Sequence, residues 1–173
     1  PQKDVTIKWL ANHADVNQKL LSEKGAIAML PEPFVSTALA AGGDSVKQLF
    51  DLNELWNEAT GQELPMGVLV ARRGFVSDRP ADLEVLLKDY AESVDFVNSD
   101  DGAGALIVEK GFIGKEAIAK SAISRCKMVL FTGTNAGEGA DILRTFNQTL
   151  YDMEPASVGG VLPDEELYYA GAE

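Results

Sequence analysis

The chain has 173 residues, 46% of them apolar, and its 27 acidic side chains outnumber 15 basic ones to give a net charge of −12. That is material for one compact domain or two small lobes with a real core. The acidic balance argues against nucleic acid, whose binding releases counterions to Lys and Arg, and against anionic membrane surfaces. An anionic small ligand stays admissible, because helix N-termini act locally whatever the net charge.

The single cysteine, Cys126, leaves no intrachain disulfide and no cysteine-rich zinc site. It precedes the apolar run Met128-Val129-Leu130-Phe131 and reads as a buried structural thiol, with a reactive thiol as the other possibility. No stretch approaches about 18 apolar residues, so no direct membrane span is expected. Pro1-Gln2-Lys3-Asp4 leads straight into a predicted strand, and no signal peptide is recognisable there.

In chain order, Val5 to Leu10 is β-branched, aromatic and apolar, and is predicted as a strand. A short helix follows, capped near Asn12 or Asp15, carrying Val16, Leu20 and Leu21 on one face and ending at Gly25. Ala26 to Leu30 is a short buried strand. It stops at Pro31-Glu32-Pro33, which opens a small-residue helix to Ala41, closed by Gly42-Gly43. This βαβα succession predicts a parallel sheet with helices packed on it. Asp44 to Leu52 reads as extended and Asp51 to Thr60 as a short helix or turn. The polar stretch Gly61 to Pro65 is the expected boundary, with 1–62 on one side and 63–173 on the other. Met66 to Ala71 is an apolar strand ended by Arg72-Arg73-Gly74. Arg79-Pro80 opens a long helix whose Leu83, Leu86, Leu87, Tyr90, Val94 and Val97 recur at three- and four-residue spacing. Further helices carry Ala105, Leu106 and Val108, then residues 115–124, then Ile142, Leu143, Phe146 and Leu150, with a strand over 127–131. The tail, 156–169, is mostly coil.

The loop Gly133-Thr134-Asn135-Ala136-Gly137-Glu138-Gly139 lies between a predicted strand and a helix, yet it lacks the Lys-Ser/Thr ending of a phosphate cradle and the spacing of a dinucleotide fingerprint. A helix cap at Thr134 or Asn135 is the simpler reading. His13 is the only histidine, and no Gly-x-Ser-x-Gly elbow accompanies it. One His beside Asp15 makes no metal set. His13 follows a predicted strand, on the edge where α/β proteins bind ligands, so ligand contact stands beside a surface or capping role. Glu32, between two prolines, reads either as a charge at the positive end of a helix or as a cleft wall. The remaining carboxylates, Glu54, Glu58, Asp100-Asp101 and Asp164-Glu165-Glu166, read as solvated faces and caps, with no pair set up for acid–base catalysis.

Three stretches carry a resemblance. Gly25 to Leu39, with its Glu32-Pro33-Phe34, resembles a motif of type II periplasmic solute-binding proteins of ABC importers. Met66 to Phe75, then Arg79-Pro80 and the helix to Asn98, is similar to the strand that leaves their cleft and the helix behind it. Ser157 to Tyr169 is similar to the closing segment of the subgroup carrying sulfonates, nitrate, taurine or thiamine-pyrimidine compounds. The family's aspartate in the first motif is replaced here by Ile27 or its neighbour.

The resemblance implies an α/β, three-layer αβα fold of the periplasmic-binding-protein type II kind, lacking the N-terminal part of lobe one. Residues 1–62 would be part of lobe two and 63–173 the C-terminal part of lobe one. It implies a substrate-binding component, not an enzyme, that captures a small polar or anionic solute by clamshell closure, without catalytic residues, cofactor or metal. Asn12, His13, Glu32, Pro33 and Met66 would face the ligand. The partner would be an ABC transporter permease, and the location extracytoplasmic, lipid-anchored in the parent protein. Strand edges left open in a partial sheet would favour a homodimer or a domain swap. An enzyme akin to thiamine-pyrimidine synthases, or a sensory ligand-binding module, is the alternative on the same fold.

Overall fold

The computed structural model describes residues 4–169. Among them every regular element is a helix, so the expected three-layer αβα arrangement is not what they form. The segments expected as strands, within 5–10, 26–30, 66–71 and 127–131, run without helical structure, and none of the described residues joins a ladder. Val, Ile and aromatic side chains bias a backbone toward the extended region. A strand is stable only when a neighbour completes its hydrogen bonds. Trp9 and Ile27 are accordingly 84% and 83% exposed, not buried.

Eight α-helices are described. In chain order they are α1 (His13–Ser22), α2 (Phe34–Gly42), α3 (Leu52–Thr60), α4 (Arg73–Asp78), α5 (Pro80–Ser99), α6 (Ala103–Glu109), α7 (Glu116–Cys126) and α8 (Ala136–Met153). Short 3-10 turns follow at Gly43–Ser45, Gly133–Asn135, Pro155–Val158 and Glu165–Leu167. Two compact units are present. One runs through Leu49 and resumes over Asp95–Met128; the other comprises Phe50–Val94 and the stretch from Val129 on. Each unit is thus assembled from two separated stretches of chain.

In the first unit α2, α6 and α7 meet through small residues. Ala38, Ala103, Ala119 and Ala122 are buried. Gly104 lets α6 and α7 approach closely, because a Cβ there would fall 2.8 Å from Lys120 Cγ. The buried Ser36 on α2 donates its hydroxyl to Ser121 on α7 at 3.1 Å, linking residues far apart in sequence.

In the second unit α8 presents Ala136, Gly139 and Ala140 to its core. At Gly139 an added Cβ would lie 2.5 Å from Phe131 Cβ, so this glycine is what allows the 129–132 segment to lie on the helix. Trp56 of α3 meets Phe146 of α8 edge-on, with ring centres 5.6 Å apart. The capping box in this loop belongs to the 3-10 turn Gly133–Asn135, where the Asn135 side chain accepts the Thr132 N–H at 2.7 Å; Asn135 is also the N-cap residue of α8 but makes no side-chain cap bond to that helix. The tail is bound down by side chains. Arg73 pairs with Asp164 and Glu166, Arg144 with Glu165 at 2.8 Å, and Asn147 Nδ2 donates to the Tyr168 hydroxyl at 3.0 Å.

The Leu83 to Val97 stripe forms the expected long helix, α5, but only Leu83 is buried along it; Leu86 and Tyr90 stay exposed. No helix among the described residues is long and apolar enough to cross a membrane.

Candidate functional site

The sequence places Asn12, His13, Glu32 and Pro33 in the first unit, and its packing brings their neighbourhoods together. Asn12 is the N-cap of α1. Its Oδ1 accepts the Asp15 N–H at 2.8 Å and its Nδ2 donates to the Asp15 carboxylate at 3.0 Å. His13 is the first residue of α1 and Phe34 the first residue of α2. Their rings lie 5.4 Å apart, tilted by 47°. One ring contact therefore brings the starts of two helices side by side; the first-turn N–H groups of α2 are already taken, by the Pro31 and Pro33 carbonyls and by the Glu32 carboxylate. His13 is exposed.

Glu32 sits just before α2, its side chain 13% exposed. One carboxylate oxygen accepts the Ser36 N–H at 3.1 Å. The other lies 3.8 Å from Nε of Arg125, at the end of α7. Arg125 in turn donates to the Gln48 side chain. Pro33, joined to Glu32 by a cis peptide, is the N-cap of α2, and its carbonyl accepts the Thr37 hydroxyl at 2.9 Å. So Glu32 serves as a helix-start anion and an ion-pair partner at once.

Sequence reasoning did not single out Arg125, Ser36 or Ser121. Arg125 reads as an ordinary basic residue in the last turn of a helix, and nothing local signals a carboxylate 93 positions upstream of it in the chain's own order. Cys126 is exposed, which corrects the expectation of a buried residue. Its thiol is nonetheless pushed above the ordinary range, first by partial burial and then by the negative charge of Glu32. A raised thiol is a poor nucleophile at neutral pH. Met66 belongs to the second unit, in the extended 66–71 segment, and is 75% exposed.

One buried acceptor in the first unit, Oδ1 of Asn17, has no partner among the described residues. It lies one turn after His13 on the same face of α1. No group of three or more His, Cys, Asp or Glu among the described residues is arranged to hold a metal ion.

Comparison with known proteins gives the class. A family model described as menaquinone biosynthesis matches residues 14–107. That span runs from the second residue of α1 into α6 and takes in Asn17, Glu32 and Ser36. The chain belongs to this menaquinone-biosynthesis family. Its fold is similar to the crystal structure of an ABC transporter from Parabacteroides distasonis, with 25% identity and a TM-score of 0.65 over 91% of this chain and 54% of that one. The chain spans about half the length of that solved protein. No curated protein matches it.

These findings correct one expectation directly. The resemblance to solute-binding proteins implied a chain without enzymatic activity, whereas the family that the sequence belongs to is one of biosynthesis. The link to ABC transporter proteins holds at the level of the fold.

Proposed function

We propose that this chain is part of an enzyme of menaquinone biosynthesis, built on a scaffold of the kind used by ABC transporter proteins, and that it holds a small polar or anionic intermediate at the His13 corner. The observation that carries the reading is the family match over residues 14–107. It agrees with the alternative reading of the sequence, an enzyme on a binding-protein fold.

The corner supplies suitable chemistry. Two helix starts meet at the His13–Phe34 contact; Glu32 already serves the positive end of α2, and the positive end of α1 favours a negative group. The exposed imidazole can donate or accept a hydrogen bond, and the Phe34 ring offers an apolar face. In this reading Glu32 and Pro33 set the position of α2, while Asn12 fixes the start of α1 and with it His13. Met66 is not carried into this corner. The assignment of 1–62 and 63–173 to two closing lobes belongs to the same proposal. The importer's solutes, its permease partner and its extracytoplasmic location rest on the importer reading and are not carried forward.

The test uses the whole protein from the source organism and a small-molecule extract of menaquinone-producing cells, followed by mass spectrometry. The expected result is depletion of one extract component with appearance of a new one, lost in His13→Ala while the melting temperature is kept. An extract left unchanged by the folded wild-type protein overturns the reading.

A further inference from the structure

The acidic run Asp164-Glu165-Glu166 is not a free solvated face. Within the second unit Arg73, on α4, donates from Nη2 to Asp164 at 3.0 Å and pairs through Nη1 with Glu166. Arg144, on α8, donates from Nε to Glu165 at 2.8 Å and from Nη1 to Asp141 at 2.6 Å. Guanidinium groups from two separate helices thus meet three consecutive carboxylates. The planar fork of an arginine recognises any carboxylate placed before it, so the two arginines make a seat and the acidic run fills it.

Charge, not burial, keeps the run there. Of residues 161–169 only Pro163 and Tyr168 are even partly buried. The backbone bonds of the stretch are internal, from the Leu167 N–H to Asp164 and from the Tyr168 N–H to Glu165. Tyr168 adds one further attachment, through its hydroxyl to Asn147 and its ring under Arg144. Exposed ion pairs are singly weak. At the base of the stretch Gly159 and Gly160 stand at φ 82° and 86°, with nothing within 4 Å of an added Cβ. Two successive glycines in this region give the chain a pivot that no side chain locks.

We infer that residues 160–168 form a strap whose carboxylates stand in for a small polycarboxylate, and that such an anion takes the Arg73 and Arg144 seat when the strap lifts. The strap holds its place by tethering, which raises the effective concentration of its carboxylates. A free polyanion that reaches both guanidinium groups makes the same bonds and leaves the strap open. All the residues involved belong to the second unit, and the inference stands apart from the biosynthetic reading.

Chymotrypsin cleavage after Leu167 and Tyr168, followed by intact mass, tests it with citrate as the probe and acetate as the control. Sodium chloride fixes the ionic strength at about 0.15 M in every sample, so that screening is equal throughout. Citrate in the millimolar range is expected to speed cleavage several-fold and to saturate, and acetate to leave it unchanged. Arg73→Gln is expected to be cut at the faster rate without citrate and to lose the response. Asp164→Asn/Glu166→Gln frees part of the seat. Citrate should bind this double variant about tenfold tighter in calorimetry, the gain expected when the open seat rises from about a tenth of the molecules to nearly all. The substituted side chains are exposed, so the helical circular dichroism should stay unchanged. Cleavage that responds to citrate and acetate alike, or to neither, overturns the inference. So does a citrate response that survives Arg73→Gln, or citrate binding no tighter in the double variant.

Discussion

The Glu32 carboxylate accepts the Ser36 N–H at 3.1 Å while facing Arg125 across 3.8 Å. A single side chain thus ends an apolar segment, starts α2 and ties it to the end of α7. Removing it leaves a buried N–H without its acceptor and takes from Arg125 its carboxylate neighbour, leaving the guanidinium its bond to Gln48. Glu32→Ala is expected to destabilise the protein by about 1–2 kcal/mol, and Glu32→Gln, which keeps an acceptor, by less. Urea unfolding checks both. Equal losses for the two variants would show that charge, not the cap, carries the effect.

Cys126 should alkylate slowly at neutral pH although it is exposed. Burial of its sulfur is the first cause and the Glu32 charge the second, so the rate with iodoacetamide should rise with a midpoint above the ordinary thiol range. Glu32→Gln removes the negative charge, favours the thiolate and should lower that midpoint part of the way. A midpoint below the ordinary range in the wild type would contradict the described surroundings of the sulfur.

Gly139 is required by contact, not by backbone conformation. A methyl group there meets Phe131 Cβ at 2.5 Å, so Gly139→Ala is expected to cost about 1–3 kcal/mol despite alanine's better helix propensity. Shortening the opposing ring in Gly139→Ala/Phe131→Leu leaves the Cβ clash in place and should not restore stability. Thermal melts of the single and double variants decide this.

The tail is held by Arg144, which pairs with Asp141 and Glu165 and lies over the Tyr168 ring at 5.0 Å. The paired groups are exposed, so the effect on global stability should be small. Arg144→Ala should instead release the segment after Gly159, speeding its cleavage in limited proteolysis, and added salt should do the same to the wild type. Unaltered cleavage in the variant would leave the Tyr168–Asn147 bond as the main restraint.

Helices were the legible part of this chain because their signals are local. The Leu83 to Val97 spacing announced α5, the Pro31–Pro33 corner announced α2, and Asn12 lies where a cap should. Helix α4 was missed, since Arg72-Arg73-Gly74 reads as the end of a strand and offers no cap. The ladders were expected and are not formed among the described residues. Period and composition make a segment extended, but pairing depends on a neighbour distant in sequence. Within the site, His13 and Glu32 could be singled out from their positions after apolar runs. The Phe34 ring beside His13, and the pairing of Glu32 with Arg125, arise from helix packing that no local pattern records.

The central claim, a role in menaquinone biosynthesis, is tested most directly by deleting the gene in its source organism and measuring menaquinone in lipid extracts. The account predicts loss of menaquinone, restored by the wild-type gene and not by His13→Ala expressed at the same level. Unchanged menaquinone after deletion, in an organism without a second copy of the gene, would contradict it.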